Sequence, residues 1–301
     1  IRRRSISRSI MIASYGAKGS RAACATIVAV AKSVSVYHLV IVTPSLDPSL
    51  PPLPSASYPL RLEVVALLRA SAALLWTVAL WCAYRDPSEA KITHRGRTVS
   101  VRNAGRFVTF TLWCNCVLAA YWWSSSAAAL LELHSKGAPR ALLACTQTLW
   151  EVAFPLSWLV AIIVSYVLIP AGRKTQPEWV AVCLQWRALL FHNGYVLACA
   201  VELTLAQPPM AASHWPIVLL FGTTYVVFAY AVFRHLGVYC YFFLDPHYAW
   251  APLAYVTLLT LLCGVFFPAC VALTEWLCGM SNQLPGSVLV MAAALMTCTW
   301  R

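Results

Sequence analysis

LWEVAFPLSWLVAIIVSYVLI, Leu149 to Ile169, is an almost unbroken apolar run close to the roughly 20 residues that a helix needs to cross about 30 Å of hydrocarbon. Five more runs of similar length flank it: Val64 to Tyr84, Phe107 to Ala128, Ala188 to Leu205, Trp215 to Phe233 and Leu253 to Trp276. Across 301 residues 60% are hydrophobic and only 11% charged, whereas a soluble domain carries about a quarter charged residues. The charged residues collect between the runs. The expected fold is therefore all-α, a polytopic membrane helical bundle with six core transmembrane helices, and a water-soluble globule is excluded.

The expected organisation has three parts. Residues 1–59 form a basic leader with an apolar segment and a proline-rich linker, 60–280 the six-helix membrane domain, and 281–301 a short apolar tail. The leader has Arg2, Arg3, Arg4, Arg8, Lys18 and Arg21 among serines and no acidic residue before Leu46, the composition of a transit leader. Its apolar part, Ala22 to Thr43, is long enough to add an N-terminal span but carries Lys32 and His38, so both readings stand. Pro44 to Pro59 reads as an extended tether, and the tail Val288 to Trp300 is too short to cross, so it is expected on the surface or against the bundle.

Orientation follows from the short loops. Arg85, Lys91, Arg95, Arg97, Arg102, Arg106, Arg173, Lys174, Arg187 and Arg234 fall on one side, against Arg61, Lys136, Arg140 and Arg301 on the other. The first set is expected in the cytosol. The basic leader then faces the wrong way unless Ala22 to Thr43 also spans or the leader is removed. Tyr84, Trp122, Trp123, Trp150, Trp215 and Trp276 near the span ends suggest interfacial belts. The net charge of +12 sits in the leader and in Arg85 to Arg106, where it serves topology and anionic lipid better than a nucleic acid, so membrane lipid is the expected partner and nucleic acid is not. The expected location is an endomembrane system or the plasma membrane, or an organelle membrane if the leader is a transit peptide.

Twelve cysteines contain no CxxC pair and read as reduced packing residues. Seven histidines show neither HxxH nor HxxxH spacing, so no metal and no cofactor is expected. Polar side chains inside spans need internal partners and are candidates for function. Thr109, Asn115, His192 with Asn193, and Glu202 stand out, while Arg69 is expected to snorkel to the interface. A threonine in a membrane helix usually bonds its own backbone, and a lone histidine or asparagine often joins helices. Thr109 and His192 are more than that if Arg187 marks the entry of the fourth span, because they then share a depth to about 3 Å.

At these residues the chain resembles the androgen-induced-gene and androgen-dependent TFPI-regulating proteins, integral-membrane threonine hydrolases that cleave fatty acid esters of hydroxy fatty acids. Four patches carry the resemblance, from about Arg106 to Phe267. RFVTFTLWCNCVLAAYW, Arg106 to Trp122, is similar to the family's "YLTF" segment and places its nucleophile on Thr109. EVAFPLSWLV, Glu151 to Val160, matches its "AFP" helix. FHNGYVLACAVEL, Phe191 to Leu203, matches the helix in which the catalytic histidine precedes a glutamate by ten residues, here His192 and Glu202. GVYCYFFL, Gly237 to Leu244, resembles "GxWVYPFL". Two positions depart from the family, Asn193 for a threonine and Phe242 for a proline.

The resemblance implies a lipid ester substrate, Thr109 as nucleophile and His192 as its base, a neutral imidazole being suited to accept the hydroxyl proton. Asn115, Asn193 and Glu202 are candidates for a supporting role, the two amides for orienting the histidine or binding an oxyanion. The aromatic segment Gly237 to Trp250 reads equally as a lid over an acyl chain, with Tyr239, Tyr241 and Phe243 as its covering rings, or as an interfacial belt. The competing class is a non-enzymatic multi-pass scaffold or a transporter, the latter disfavoured by the absence of an internal repeat.

Overall fold

A computed structural model describes residues 2–39, 61–88, 90–134, 137–175, 177–280 and 284–298. The tether Pro44 to Pro59 lies outside the described residues. The elements run α1 Arg2–Tyr37, α2 Leu62–Arg85, β1 Ala90–His94, β2 Arg97–Val101, α3 Phe110–Leu133 and α4 Arg140–Ile162. They continue with α5 Ile169–Thr175, α6 Pro177–Cys183, α7 Trp186–Leu189, α8 Tyr195–Ala206, α9 Trp215–Leu236, α10 Ala251–Leu261, α11 Phe267–Cys278 and α12 Leu284–Thr297. Three π turns join α4 to α5 at Ile163–Leu168, α7 to α8 at Leu190–Gly194 and α10 to α11 at Leu262–Phe266.

Among the described residues six helical stretches are long and apolar enough to cross a membrane: Leu62–Arg85, Phe110–Leu133, Arg140–Arg173, Trp186–Ala206, Ala212–Leu236 and Ala251–Cys278. They coincide with the six apolar runs, and the protein is an all-α multi-pass bundle. Leu67, Leu74 and Leu253 stand 68%, 58% and 70% exposed on its outside, as a surface solvated by lipid requires. Inside, Ala73, Ala128, Ala153, Ala161 and Ala200 are fully buried, which lets helix backbones approach closely. The α4 stretch is the central one, with 61% of its apolar window buried against 22% for the last span.

Two belt assignments do not hold. Trp122 and Trp150 are buried in the core, because α4 begins at Arg140, well before Trp150, and carries that ring inward to stack on Phe154 at 4.8 Å. Trp123 and Trp276 do face outward.

Two basic loops and the aromatic segment before α10 share one face. Asp86 accepts from Arg106 Nη1 at 3.3 Å and from Arg187 Nη1 at 2.7 Å, tying the segment after α2 to the entry of α7. Asp245 accepts from Arg95 Nε at 2.7 Å and meets His94 Nε2 at 2.7 Å, tying the segment before α10 to the hairpin of β1 and β2. That hairpin was not foreseen. Its two-residue turn, Arg95 and Gly96, has φ of 50° and 74°, the left-handed pair of a tight antiparallel connection, and pairs His94 with Arg97.

The first helix crosses the thickness of this bundle beside α9. Ser20 Oγ donates to the Tyr248 carbonyl at 2.6 Å on the basic face, and the His38 ring lies 5.1 Å from Trp215 at the opposite end of α9. Arg21 accordingly stands with the other basic residues, near Tyr239. This helix is less apolar than the six and is not among the stretches long and apolar enough to cross a membrane. The tail helix α12 packs on the bundle and buries Val290, Ala294 and Cys298 in the main core.

Candidate functional site

Thr109 is the residue at which the chain turns into α3. The preceding segment Asn103–Val108 is a tight 3-10 turn, and Thr109 itself is extended, with φ −85° and ψ 138°. Each carbonyl leading to it is held. Trp113 Nε1 donates to Phe107 at 2.9 Å, the Tyr225 hydroxyl donates to Val108 at 2.7 Å, and Thr109 N donates to Arg106 at 3.3 Å. Thr109 occupies the N-cap position, yet its hydroxyl makes no capping bond. It reaches instead toward the Arg106 carbonyl at 3.4 Å, the long limit of a hydrogen bond. The N–H groups of the first turn of α3 thus receive no cap from Thr109, and those of Phe110 and Thr111 face the Tyr225 and Tyr241 hydroxyls instead.

His192 sits on the π turn between α7 and α8. A π turn disturbs the helix ladder, and such turns are frequent at functional sites. Asn115 supports this one: its Nδ2 donates to the Phe191 carbonyl at 3.1 Å and to the Thr111 carbonyl at 2.8 Å, while its Oδ1 accepts from Trp76 Nε1 at 2.9 Å. Two oxygens at 2.8 and 3.1 Å from one nitrogen lie no more than about 6 Å apart, so the turn holding His192 is level with the first turn of α3. Thr109 lies about 3 Å further toward the basic face than Thr111. Helical side chains tilt toward the N-terminus, which on α8 is the basic end, so the tilt carries the imidazole toward the level of Thr109.

No hydrogen bond joins Thr109 to His192 among the described residues. His192 Nδ1 is enclosed by protein and has no hydrogen-bond partner. Buried polar atoms are overwhelmingly paired, so an orphaned imidazole nitrogen asks for an unseen partner or a chemical use.

The supporting candidates separate. Asn115 is fully buried with its amide engaged on both sides, so it braces the π turn and is not a free donor for a substrate. Asn193 is buried where α12 closes over the turn, its carbonyl 4.0 Å from Cys298 Sγ. Glu202 does not orient His192, because ten residues of helix separate them by about 15 Å. Glu202 Oε1 instead takes Arg69 Nε at 2.9 Å, Arg69 Nη2 at 2.5 Å and the Tyr121 hydroxyl at 2.6 Å. Arg69 therefore does not snorkel: it is 1% exposed because an internal carboxylate balances it. A second internal pair, missed from sequence, joins Glu151 to His214 Nδ1 at 2.8 Å, with Gln147 and the Ala211 N–H also on that carboxylate. A charged residue inside the apolar run at Leu149 to Ile169 was the available signal.

The aromatic segment between α9 and α10 turns partly inward. Tyr241 and Phe243 line an apolar cavity, whereas Phe242 and Trp250 are 45% and 42% exposed. Tyr239 does not cover that cavity. It stacks on Phe233 at 4.2 Å and meets the His94 ring edge-on, so it belongs to the hairpin junction. The Tyr241 hydroxyl meets Thr111, and burial pushes its pKa above the ordinary phenol value. Thr111, two residues beyond Thr109, was not singled out from sequence; neither Thr109 nor His192 lines the cavity, which Phe110 and Thr111 reach. Among the described residues no group of three His, Cys, Asp or Glu side chains stands together as a metal site.

Asp245 anchors the segment. Its Oδ1 accepts from the His247 backbone N–H at 3.0 Å, and His247 Nδ1 lies at 2.6 Å from the same oxygen. Burial raises its pKa, but the His247 N–H, His94, His247 and Arg95 together outweigh burial and hold it below the ordinary value. A carboxylate with a depressed folded pKa contributes stability above its unfolded value, lost as pH falls through the folded one. Hydrogen-exchange protection of the hairpin should therefore persist down to about pH 4 and decay below it. Asp245→Asn should weaken the protection already at neutral pH; equal protection in that variant would show that Asp245 does not hold the hairpin.

Comparison with models of protein families, with curated proteins and with solved structures finds no match to this chain.

Proposed function

We propose that the protein is a membrane-embedded lipid ester hydrolase in which Thr109 is the nucleophile and His192 its base, with fatty acid esters of hydroxy fatty acids as the substrate class. The observation that carries this reading is the enclosed, partnerless His192 Nδ1 on a π turn level with the helix entry at Thr109. The order and spacing of the four patches resembling the androgen-induced-gene proteins support it.

In this mechanism His192 takes the proton of the Thr109 hydroxyl as Oγ attacks the ester carbonyl. The oxyanion forms beside the opening of α3, where a helix N-terminus favours negative charge. The tetrahedral intermediate collapses, the C–O bond to the alcohol breaks, and His192 returns the proton to the leaving alkoxide. Water then gives a proton to His192 and its oxygen to the acyl carbon. The fatty acid leaves and the proton returns to Thr109 Oγ. Basic-face depth suits this cycle, because water must reach the acyl-enzyme.

The test is labelling of the protein in membranes with a fluorophosphonate, in which Oγ displaces fluoride. Labelling of the wild-type chain at Thr109 that disappears in Thr109→Ala is the expected result. A wild-type chain that stays unlabelled while binding lipid would favour the scaffold reading.

A further inference from the structure

The apolar cavity beside the site has lining, depth and surroundings that identify what fills it. Its walls are Leu159, Val160, Ile163, Val164 and Leu168 of the α4 stretch, Gly222 and Val226 of α9, and Leu258, Leu259 and Leu262 of the last span, roofed by Tyr241, Phe243 and Leu244. The cavity volume is ≈ 110 Å³, and it widens into an open mouth. Two of the π turns, Ile163–Leu168 and Leu262–Phe266, contribute residues to it. Its walls descend from the basic face, at Leu244 and Leu168, toward mid-membrane. From Leu168 to Leu159 the descent is about 13 Å.

We propose that this cavity seats a single acyl chain of a lipid ester, entering from the basic-face leaflet, its carbonyl end at Thr111 and Tyr241 and its methyl end between Gly222 and Leu262. Water is a poor occupant of its depth, because the walls away from Thr111 and Tyr241 are apolar and offer no hydrogen-bond partners. The void left empty forfeits dispersion contacts on all its walls, and within a bilayer the apolar chains at hand are lipid tails. The hydroxyls of Thr111 and Tyr241 lie at its basic-face end, where an ester carbonyl finds donors. Thr111 follows Thr109 by two residues, although Thr109 does not itself line the cavity, so passage of the carbonyl from Thr111 to Thr109 is a separate step. That last step rests on the hydrolase reading, whereas the seating of the chain does not.

Gly222 sets the floor. A Cβ placed there meets Leu262 Cδ2 at 3.5 Å, an ordinary contact, so a larger side chain projects into the cavity without displacing backbone. The test uses the full chain in phosphatidylcholine vesicles with a palmitate ester bearing a mid-chain diazirine. Photolabelling should concentrate on peptides containing Leu159 to Leu168, Gly222 to Val226 and Leu258 to Leu262, and excess unlabelled palmitate ester should compete. Gly222→Leu and, independently, Val226→Phe should each reduce this labelling at least five-fold while an octanoate analogue still labels. Thr109→Ala should label as the wild type does, so failure of catalysis and failure of chain seating are told apart. Labelling spread over outward residues such as Leu67, Leu74 and Leu253, without competition, would overturn the proposal, as would wild-type labelling in both filled variants.

Discussion

Ester hydrolysis in membranes carrying Thr109→Ala should fall to background, His192→Ala should fall as far, and the double variant should fall no further. Residues that act as one unit give non-additive losses, because removal of either leaves the other without a task. A nucleophile and its base together account for several powers of ten in rate, so each single loss should exceed about 10³-fold. Asn115→Ala provides the contrast. It leaves both reacting groups in place but unbraces the π turn through the Phe191 carbonyl, so it should reduce turnover by less than either deletion. Full activity in His192→Ala would leave Thr109 without a base and end the mechanism.

The second large effect is on stability. Glu202→Ala should destabilise the bundle by about 3–5 kcal/mol, the cost of leaving one partner of a buried ion pair uncompensated. Arg69 is held there by two nitrogens on one carboxylate oxygen, with Tyr121 on the same oxygen, so loss of that oxygen strands a guanidinium inside apolar surroundings. The paired replacement Arg69→Met with Glu202→Leu removes both charges and should recover most of that loss. Thermal unfolding in detergent measures both. A double variant as unstable as Glu202→Ala would mean that shape at this locus matters more than charge.

The six spans were legible because apolar length is a local property, needing no knowledge of neighbours. Which helix lies central was not, since Leu149 to Ile169 and Leu253 to Trp276 are alike in sequence but differ greatly in burial. Arg69 could not be placed for the same reason. Whether an arginine snorkels or stays inside depends on Glu202, a partner 133 residues away, and spacing along one chain does not disclose which helix faces which. The hairpin was hidden in a run read only for its charge, although Arg95 and Gly96 between KITH and RTVS carry a turn signal. Thr111 was not legible because a threonine in an apolar run is ordinarily bonded to its own helix, and only the inward turn of Tyr241 makes its hydroxyl matter.

The seat of α1 against α9 and α10 sets the order in which this molecule can be assembled. Ser20 bonds Tyr248 across 228 residues, and Cys24 and Val28 share an apolar cluster with Ala251 and Tyr255, so α1 has its partners among helices made much later than itself. Contacts so distant along the chain form slowly, since closing a long loop precedes any gain from it. During synthesis α1, less apolar than the helices that follow, must wait in the membrane or at its surface until α9 and α10 emerge. Nascent chains halted before Trp250 should therefore leave Cys24 and Val28 open to membrane chaperones, and only chains extended past α10 should draw α1 into its seat.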